Sequence, residues 1–264
     1  MIAARFAADS RGGAGRAGGV QESVQKESSR DAGKHAHSKA RLRKDGPRPP
    51  DPRLRFDPEA LGLMEPPRSF YRRETVAVAK DLLGSWLARR FRGKWYGARI
   101  VETEAYLGIG DAAAHSWKGR RTARVEPMYA DGGHLYVFLV YGMHHCANIV
   151  TREEGIAQAV LLRAGEPPDG LPARLLSGPG KLCAGLGITV ADTGRDLAGA
   201  GPIRIFRRPR ARRPGLTVSP RIGVDYAGDA AAWPLRFYEA KSKAVSGKKQ
   251  PEAVPVKPRP AQDA

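Results

Sequence analysis

The chain has 264 residues, 41% of them apolar, and carries 45 Lys and Arg against 27 Asp and Glu for a net charge of +18. That is enough apolar content for one core, no apolar run is long enough to span a bilayer and no basic amphipathic helix stands out, so membrane is a poor partner; a polyanion, usually nucleic acid, is the expected one. Two cysteines, Cys146 and Cys183, cannot make a disulfide framework and lack CxxC spacing, which leaves zinc or iron–sulfur readings without support and points to a reducing compartment.

Met1 to about Pro66 is rich in Gly, Ala, Ser, Lys, Arg and Pro and includes the stiff, proline-rich GPRPPDPR; it reads as a disordered basic arm. The N-terminus lacks a secretory apolar stretch, so the expected location is intracellular: cytoplasm or nucleoid in a bacterium, nucleus in a eukaryote. Its Arg and Ala leave an organelle-targeting alternative. TVAVAKDLLG, Thr75 to Gly84, spaces Val76, Ala79 and Leu83 as a short helix would and stops on glycine. Strands are expected at Trp86–Phe91, Trp95–Tyr106, Leu135–Tyr141, His144–Val150 and Gln158–Ala164, with turn residues between them, hence an antiparallel sheet. GPGKLCAGLG, Gly178 to Gly187, reads as a glycine turn entering a helix, and IRIFRR and LRFY as later strands. The fold class is α+β, one domain over 67–240, and 241–264 is a second disordered Lys- and Pro-rich tail.

RIVETEAYLGIGDAAAHS, Arg99 to Ser116, alternates as a strand, which would put Ile100, Glu102, Glu104 and Tyr106 on one face. LYVFLVYGMHHCANIV, Leu135 to Val150, is two β-rich runs joined at Tyr141-Gly142. It predicts a projecting hairpin whose tyrosine could wedge between base pairs or pack on a neighbouring loop. His144, His145 and Cys146 point alternately across a strand and cannot chelate one ion together. IFRRPRARRPG, Ile205 to Gly215, is an arginine-crowded loop that either contacts phosphate or is solvated. Gly178-Pro179-Gly180-Lys181 lacks the full phosphate-loop pattern, so nucleotide hydrolysis is disfavoured.

Taken in order, RIVETEAYLG, DAAAHS, YVFLVYGM, ANIV, VLLRA, GPGKLCAGLGIT, PRIGVDYAG and PLRFY resemble the alkyladenine (3-methyladenine) DNA glycosylase family over nearly all of 67–240. The resemblance implies a monofunctional, cofactor-free, metal-free monomer that flips damaged purines from double-stranded DNA and hydrolyses the N-glycosidic bond, leaving an abasic site. It puts the general base at Glu104, with Glu102 a supporting neighbour, and the water-holding arginine at Arg163. The base-sandwiching rings fall at Tyr106, His115 and Phe138, the guanine-excluding side chain at Asn148, and the intercalating tip at Tyr141. Three departures stand out: Phe138 where tyrosine is common, Val125 where asparagine is frequent, and a shorter link from Gly170 to Gly178. Two rivals remain. A non-catalytic nucleic-acid-binding module of related fold leaves Glu104 and Arg163 idle; a Schiff-base lyase needs a lysine that the ETEAY and YGM segments lack.

Overall fold

A computed structural model of the chain describes residues 48–209 and 215–247. Helices α1 (Arg68–Tyr71) and α2 (Thr75–Asp81) precede strands β1 (Trp86–Phe91) and β2 (Lys94–Tyr106). There follow β3 (Leu135–Val140), β4 (His144–Thr151), β5 (Gln158–Glu166), helix α3 (Pro179–Leu186), β6 (Ile203–Phe206), β7 (Leu216–Ser219) and β8 (Arg236–Glu239). Among the described residues these strands form one antiparallel sheet ordered β3-β4-β5-β2-β1-β6, with β8 pairing with the later half of β2 and with β7. This is the α+β architecture that the sequence predicts. Strand β7 is the addition.

Helix α2 forms where expected because the Glu74 carboxylate accepts from the amides of Val76 and Ala77, at 3.0 and 2.8 Å, capping two otherwise unpaired donors. Ala79 and Leu83 are buried as expected, Val78 and Leu82 join them in the core, and Val76 is only partly buried. Helix α3 ends at Gly187, with φ 64°, where a Cβ would collide with the Arg48 carbonyl oxygen; glycine alone suits that position. Both helices cover one face of the sheet, over a core that includes Leu87, Ile100, Ile149, Leu162 and Leu182.

The expected strict alternation of β2 fails at one place. Its pairing with β5 is irregular between Ile100 and Thr103, a bulge that inserts a residue and resets which way side chains point. Ile100 consequently joins Ala105 in the main core rather than sharing a face with Glu102, Glu104 and Tyr106, and Val101 packs in a separate cluster with Ala164 and Ala244.

Packing also extends past the expected boundaries of 67 and 240. Leu54 is fully buried in the main core, Phe56 stacks on Trp86 with centroids 4.7 Å apart and planes 8° apart, and the Asp51 amide donates to the Gly185 carbonyl at 2.7 Å. Residues 48–66 are thus part of the packed structure, not of an arm. Ala244, Val245 and Ser246 are buried at the other end. The reason both were missed is physical: isolated apolar residues among prolines and charges carry no periodicity. The remaining parts of the two expected tails, 1–47 and 248–264, and residues 210–214 of the arginine loop lie outside the described residues. The link from Gly170 to Gly178 is a short helical turn, Ala173–Leu176, seated by buried Leu176 and by a bridge from Ser177 to Ala164.

Because Leu54 is fully enclosed, Leu54→Ala should reduce unfolding free energy by about 2–5 kcal/mol, the usual cost of a core cavity. Denaturant titration measures it. A loss below about 1 kcal/mol would mean that residues 48–66 lie loosely on the surface.

Candidate active site

One row of directly paired residues crosses the sheet: Tyr136 on β3, Asn148 on β4, Leu161 on β5, Glu104 on β2 and Arg236 on β8. Paired residues point to the same side, so the row places Asn148 and Glu104 on one face, opposite the main core. Two residues along β2, on the same face, stands Tyr106, whose hydroxyl donates to Glu104 Oε2 at 3.0 Å.

Both acids of ETEAY are fully buried and neither is left alone. Arg163, two residues beyond Leu161 on β5, sends Nε to Glu102 Oε1 at 3.1 Å and Nη1 to within 3.2 Å of Glu104 Oε1. Glu102 also accepts from Arg236 Nε at 2.7 Å and from the Ser246 amide at 2.6 Å. Glu104 instead accepts from the Ile222 amide at 2.8 Å. The two acids therefore differ in environment: two guanidiniums and an amide surround Glu102, whereas Glu104 faces one guanidinium, an amide and a phenol. Burial pushes the Glu104 carboxyl above the ordinary carboxylate range, opposed chiefly by the positive charge of Arg163. Burial likewise pushes Tyr106 well above its ordinary value, reinforced by the Glu104 charge beside it, so its hydroxyl keeps its proton and remains a donor.

The aromatic part of the site is delivered by the loop after β2 and by β3. Asp111 accepts from the amides of Leu107 and Ala113, both at 3.0 Å, and forms a fully buried pair with Arg221, whose guanidinium lies 4.8 Å from the Tyr106 ring centre. Ser116 donates to the Ala157 carbonyl at 2.9 Å. Between these anchors His115 meets Tyr136, Nδ1 to hydroxyl at 2.8 Å, and lies edge-on to Phe138 with centroids 4.5 Å apart. Burial, with Arg124 and Arg120 nearby, pulls His115 down to about 4, leaving a neutral ring at physiological pH. Among the described residues Tyr106 makes no ring contact with His115 or Phe138. The Asn148 amide nitrogen donates to the carbonyls of Tyr136 and Cys146, at 3.1 and 3.3 Å.

Tyr141 stands apart from these groups, at the tip of the β3–β4 hairpin. It is 88% exposed and neighbouring Met143 is 71% exposed. Tyr141 and Gly142 both have positive φ, 51° and 68°, the signature of a primed hairpin turn. That backbone is ordinary for glycine and strained for a bulky residue. Val125 is buried in the cluster of Met128, Tyr129 and Tyr136 against which Phe138 packs, so the two residues that the sequence analysis singles out share one apolar patch.

Sequence reasoning missed several supports. Arg236 and Arg221 lie inside PLRFY and PRIGVDYAG, so both were in view without a role, and Tyr136 is the neighbouring aromatic of LYVF. Ser246 had no signal. Among the described residues, no three His, Cys, Asp or Glu side chains gather so as to hold a metal ion.

A family model for methylpurine-DNA glycosylase matches residues 69–243. A protein of Desulfitobacterium hafniense named "Putative 3-methyladenine DNA glycosylase" is 45% identical over 201 residues, covering 69% of this chain and 98% of that protein. Proteins of the same name from Methanocella arvoryzae and Myxococcus xanthus are 44% and 48% identical over 192 and 183 residues. These cover 68% of this chain in both cases, and 94% and 92% of the respective relatives.

The buried, neutral His115 makes a prediction of its own. Since its folded value of about 4 lies below the ordinary 6.5, the ring contributes stability that is fully present above pH 6.5 and is lost as pH falls through about 4. An NMR titration should find its midpoint near 4. A midpoint near 6.5 would show an open ring and contradict this packing.

Proposed function

The chain belongs to the methylpurine-DNA glycosylase family and is a DNA glycosylase for alkylated bases; from that premise we propose that it flips 3-methyladenine, 7-methylguanine, hypoxanthine or etheno-adenine from duplex DNA, as a monomer, and hydrolyses the N-glycosidic bond with a water activated by Glu104. The observation that carries the reading is the Glu104–Arg163 pair: a fully buried carboxylate beside a guanidinium, with burial raising its basicity and the guanidinium keeping it charged. Glu102 serves as the partner that holds Arg163, since it already accepts from two arginines.

In this reading Glu104 accepts a proton from water while the water oxygen bonds to the sugar C1′ carbon. The bond from C1′ to the purine nitrogen breaks and its electron pair leaves with the base. Alkylation at N3 or N7 makes the purine cationic and hence a better leaving group, and the negative charge of Glu104 stabilises the oxocarbenium-like sugar. The flipped base stacks between Tyr106 on one side and His115 with Phe138 on the other, where an electron-poor base gains most. A neutral His115 suits this role because a cationic ring would repel an alkylated purine. Asn148, on the same row as Glu104, crowds the exocyclic amine of guanine. Tyr141 fills the space that the flipped nucleotide leaves. The reaction ends at an intact abasic strand, because neither ETEAY nor YGM supplies the lysine that a lyase step needs.

Purified protein should release 3-methyladenine from methylated duplex DNA and leave alkali-labile sites; intact bases after prolonged incubation with excess protein would leave only a binding module. Glu104→Gln should bind lesion DNA as the wild type does and lose on the order of 10² to 10⁴ in single-turnover cleavage, the scale of a lost general base. An active Glu104→Gln protein beside a dead Glu102→Gln protein would reverse the two roles.

Tyr141→Ser should slow excision from a paired duplex, with a smaller defect when the lesion is mispaired and flipping needs less help. Its melting temperature should hardly change, because so exposed a ring buries little apolar area. Equal impairment in every pairing context, together with a large fall in melting temperature, would assign the ring to packing instead.

A further inference from the structure

We propose that Ser246, in the segment after β8, is a positioning residue for the reaction, acting through Arg163; the proposal rests on the reading of Glu104 and Arg163 given above. The family match ends at residue 243, so Ser246 lies beyond it. All three of its polar groups nevertheless point into the charged network. Its amide donates to Glu102 Oε2 at 2.6 Å, its hydroxyl accepts from Arg163 Nη2 at 3.2 Å, and its carbonyl accepts from Arg236 Nη2 at 2.9 Å.

The consequence lies in the geometry of a guanidinium. Arg163 has three nitrogens and each has its own partner: Nε has Glu102, Nη1 has Glu104 and Nη2 has Ser246. A planar fork held in three directions cannot turn. Without the Ser246 hydroxyl the group can swing about its Nε anchor, and the Nη1 contact with Glu104 is the one that moves. The segment is also fastened independently of this network: the Ala244 amide donates to Ser242 Oγ at 3.1 Å, the Val245 carbonyl accepts from Ser177 Oγ at 3.2 Å, and Ala244 packs with Val101 and Ala164. Next to Ser246, Gly247 approaches Ile222 so closely that a Cβ would lie 3.0 Å from its Cδ1, and Ile222 is the residue whose amide holds Glu104. One short segment thus braces both partners of the reacting pair.

Ser246→Ala removes the hydroxyl and leaves the main-chain bonds to Glu102 and Arg236 in place. In the full-length protein it should lower single-turnover excision of hypoxanthine on the order of tenfold, the scale of a small misplacement, with the half-saturating DNA concentration unchanged and the melting temperature close to wild type. Ser246→Thr and Ser246→Val are matched in shape and differ in the hydroxyl, so they decide the matter should the alanine variant not fold: threonine should cleave several-fold faster than valine. Equal rates for that pair, or a wild-type rate for Ser246→Ala, overturn the proposal, as does a fall in melting temperature with cleavage unaltered at low temperature. Glu104→Gln assayed in parallel separates the two levels. An inactive Glu104→Gln with a fully active Ser246→Ala refutes Ser246 alone, whereas an active Glu104→Gln refutes the reading beneath it.

Discussion

Two buried carboxylates two residues apart on one strand, sharing one arginine, set the conditions that the rest of this structure meets. Taking charges out of water costs several kcal/mol per ion, and stranding one by removing its partner costs roughly 3–5 kcal/mol. Glu102 and Glu104 are accordingly answered by Arg163 from β5 and Arg236 from β8, so that the cluster balances, and their remaining lone pairs are met by the amides of Ser246 and Ile222. The bulge at the start of this stretch lets Ile100 stay in the core while both acids face the other way. Strand β8, which forks off β2 beside them, supplies the second cation. These devices make sense as positioning rather than as stabilisation, since replacing buried ion pairs by well-packed apolar residues of similar volume is often neutral or stabilising.

The aromatic half of the site obeys the opposite rule, keeping charge out. His115 is held neutral by burial and seated against Tyr136. Val125 and Phe138 extend an apolar patch beneath it. The buried charge of Arg221 over Tyr106 is neutralised by Asp111 through two bonds, at 2.5 and 2.8 Å. In the function proposed above, a cationic base meets polarizable rings and, beyond them, the Glu104 carboxylate. The hairpin tip adds a third element. A tyrosine at positive φ costs about 1–3 kcal/mol in backbone strain, and with the ring exposed no packing offsets it; a role in the complex with DNA would.

Much of this was legible in the chain because long strands with alternating residues announce themselves. The antiparallel sheet and the projecting hairpin are of this kind, whereas α3 was marked by the glycines at its two ends. The proximity of Glu104 to Arg163 came from ordered motifs rather than from pattern, since pairing between residues so far apart in the chain leaves no local trace. What escaped did so for identifiable reasons. A bulge changes facing by one residue and has no composition of its own, so Ile100 was put on the wrong face. Leu54 and Phe56 sit among prolines and arginines that look like an arm, and only the tertiary contact with Trp86 and α3 reveals them as core. Ser246 is a small polar residue in a lysine-rich run, and its value lies wholly in what it touches.

The central claim, that Glu104 is a base whose readiness is set by burial against the charge of Arg163, is tested most directly by the pH dependence of single-turnover hypoxanthine excision in the wild type and in Glu104→Gln. Since burial raises the Glu104 value, the folded carboxylate loses its proton above the ordinary 4.5, and the rate should climb with pH through a midpoint above that value, with the limb absent from the residual activity of Glu104→Gln. A wild-type rate that is flat across this range, or a limb that persists unchanged in Glu104→Gln, would contradict the account.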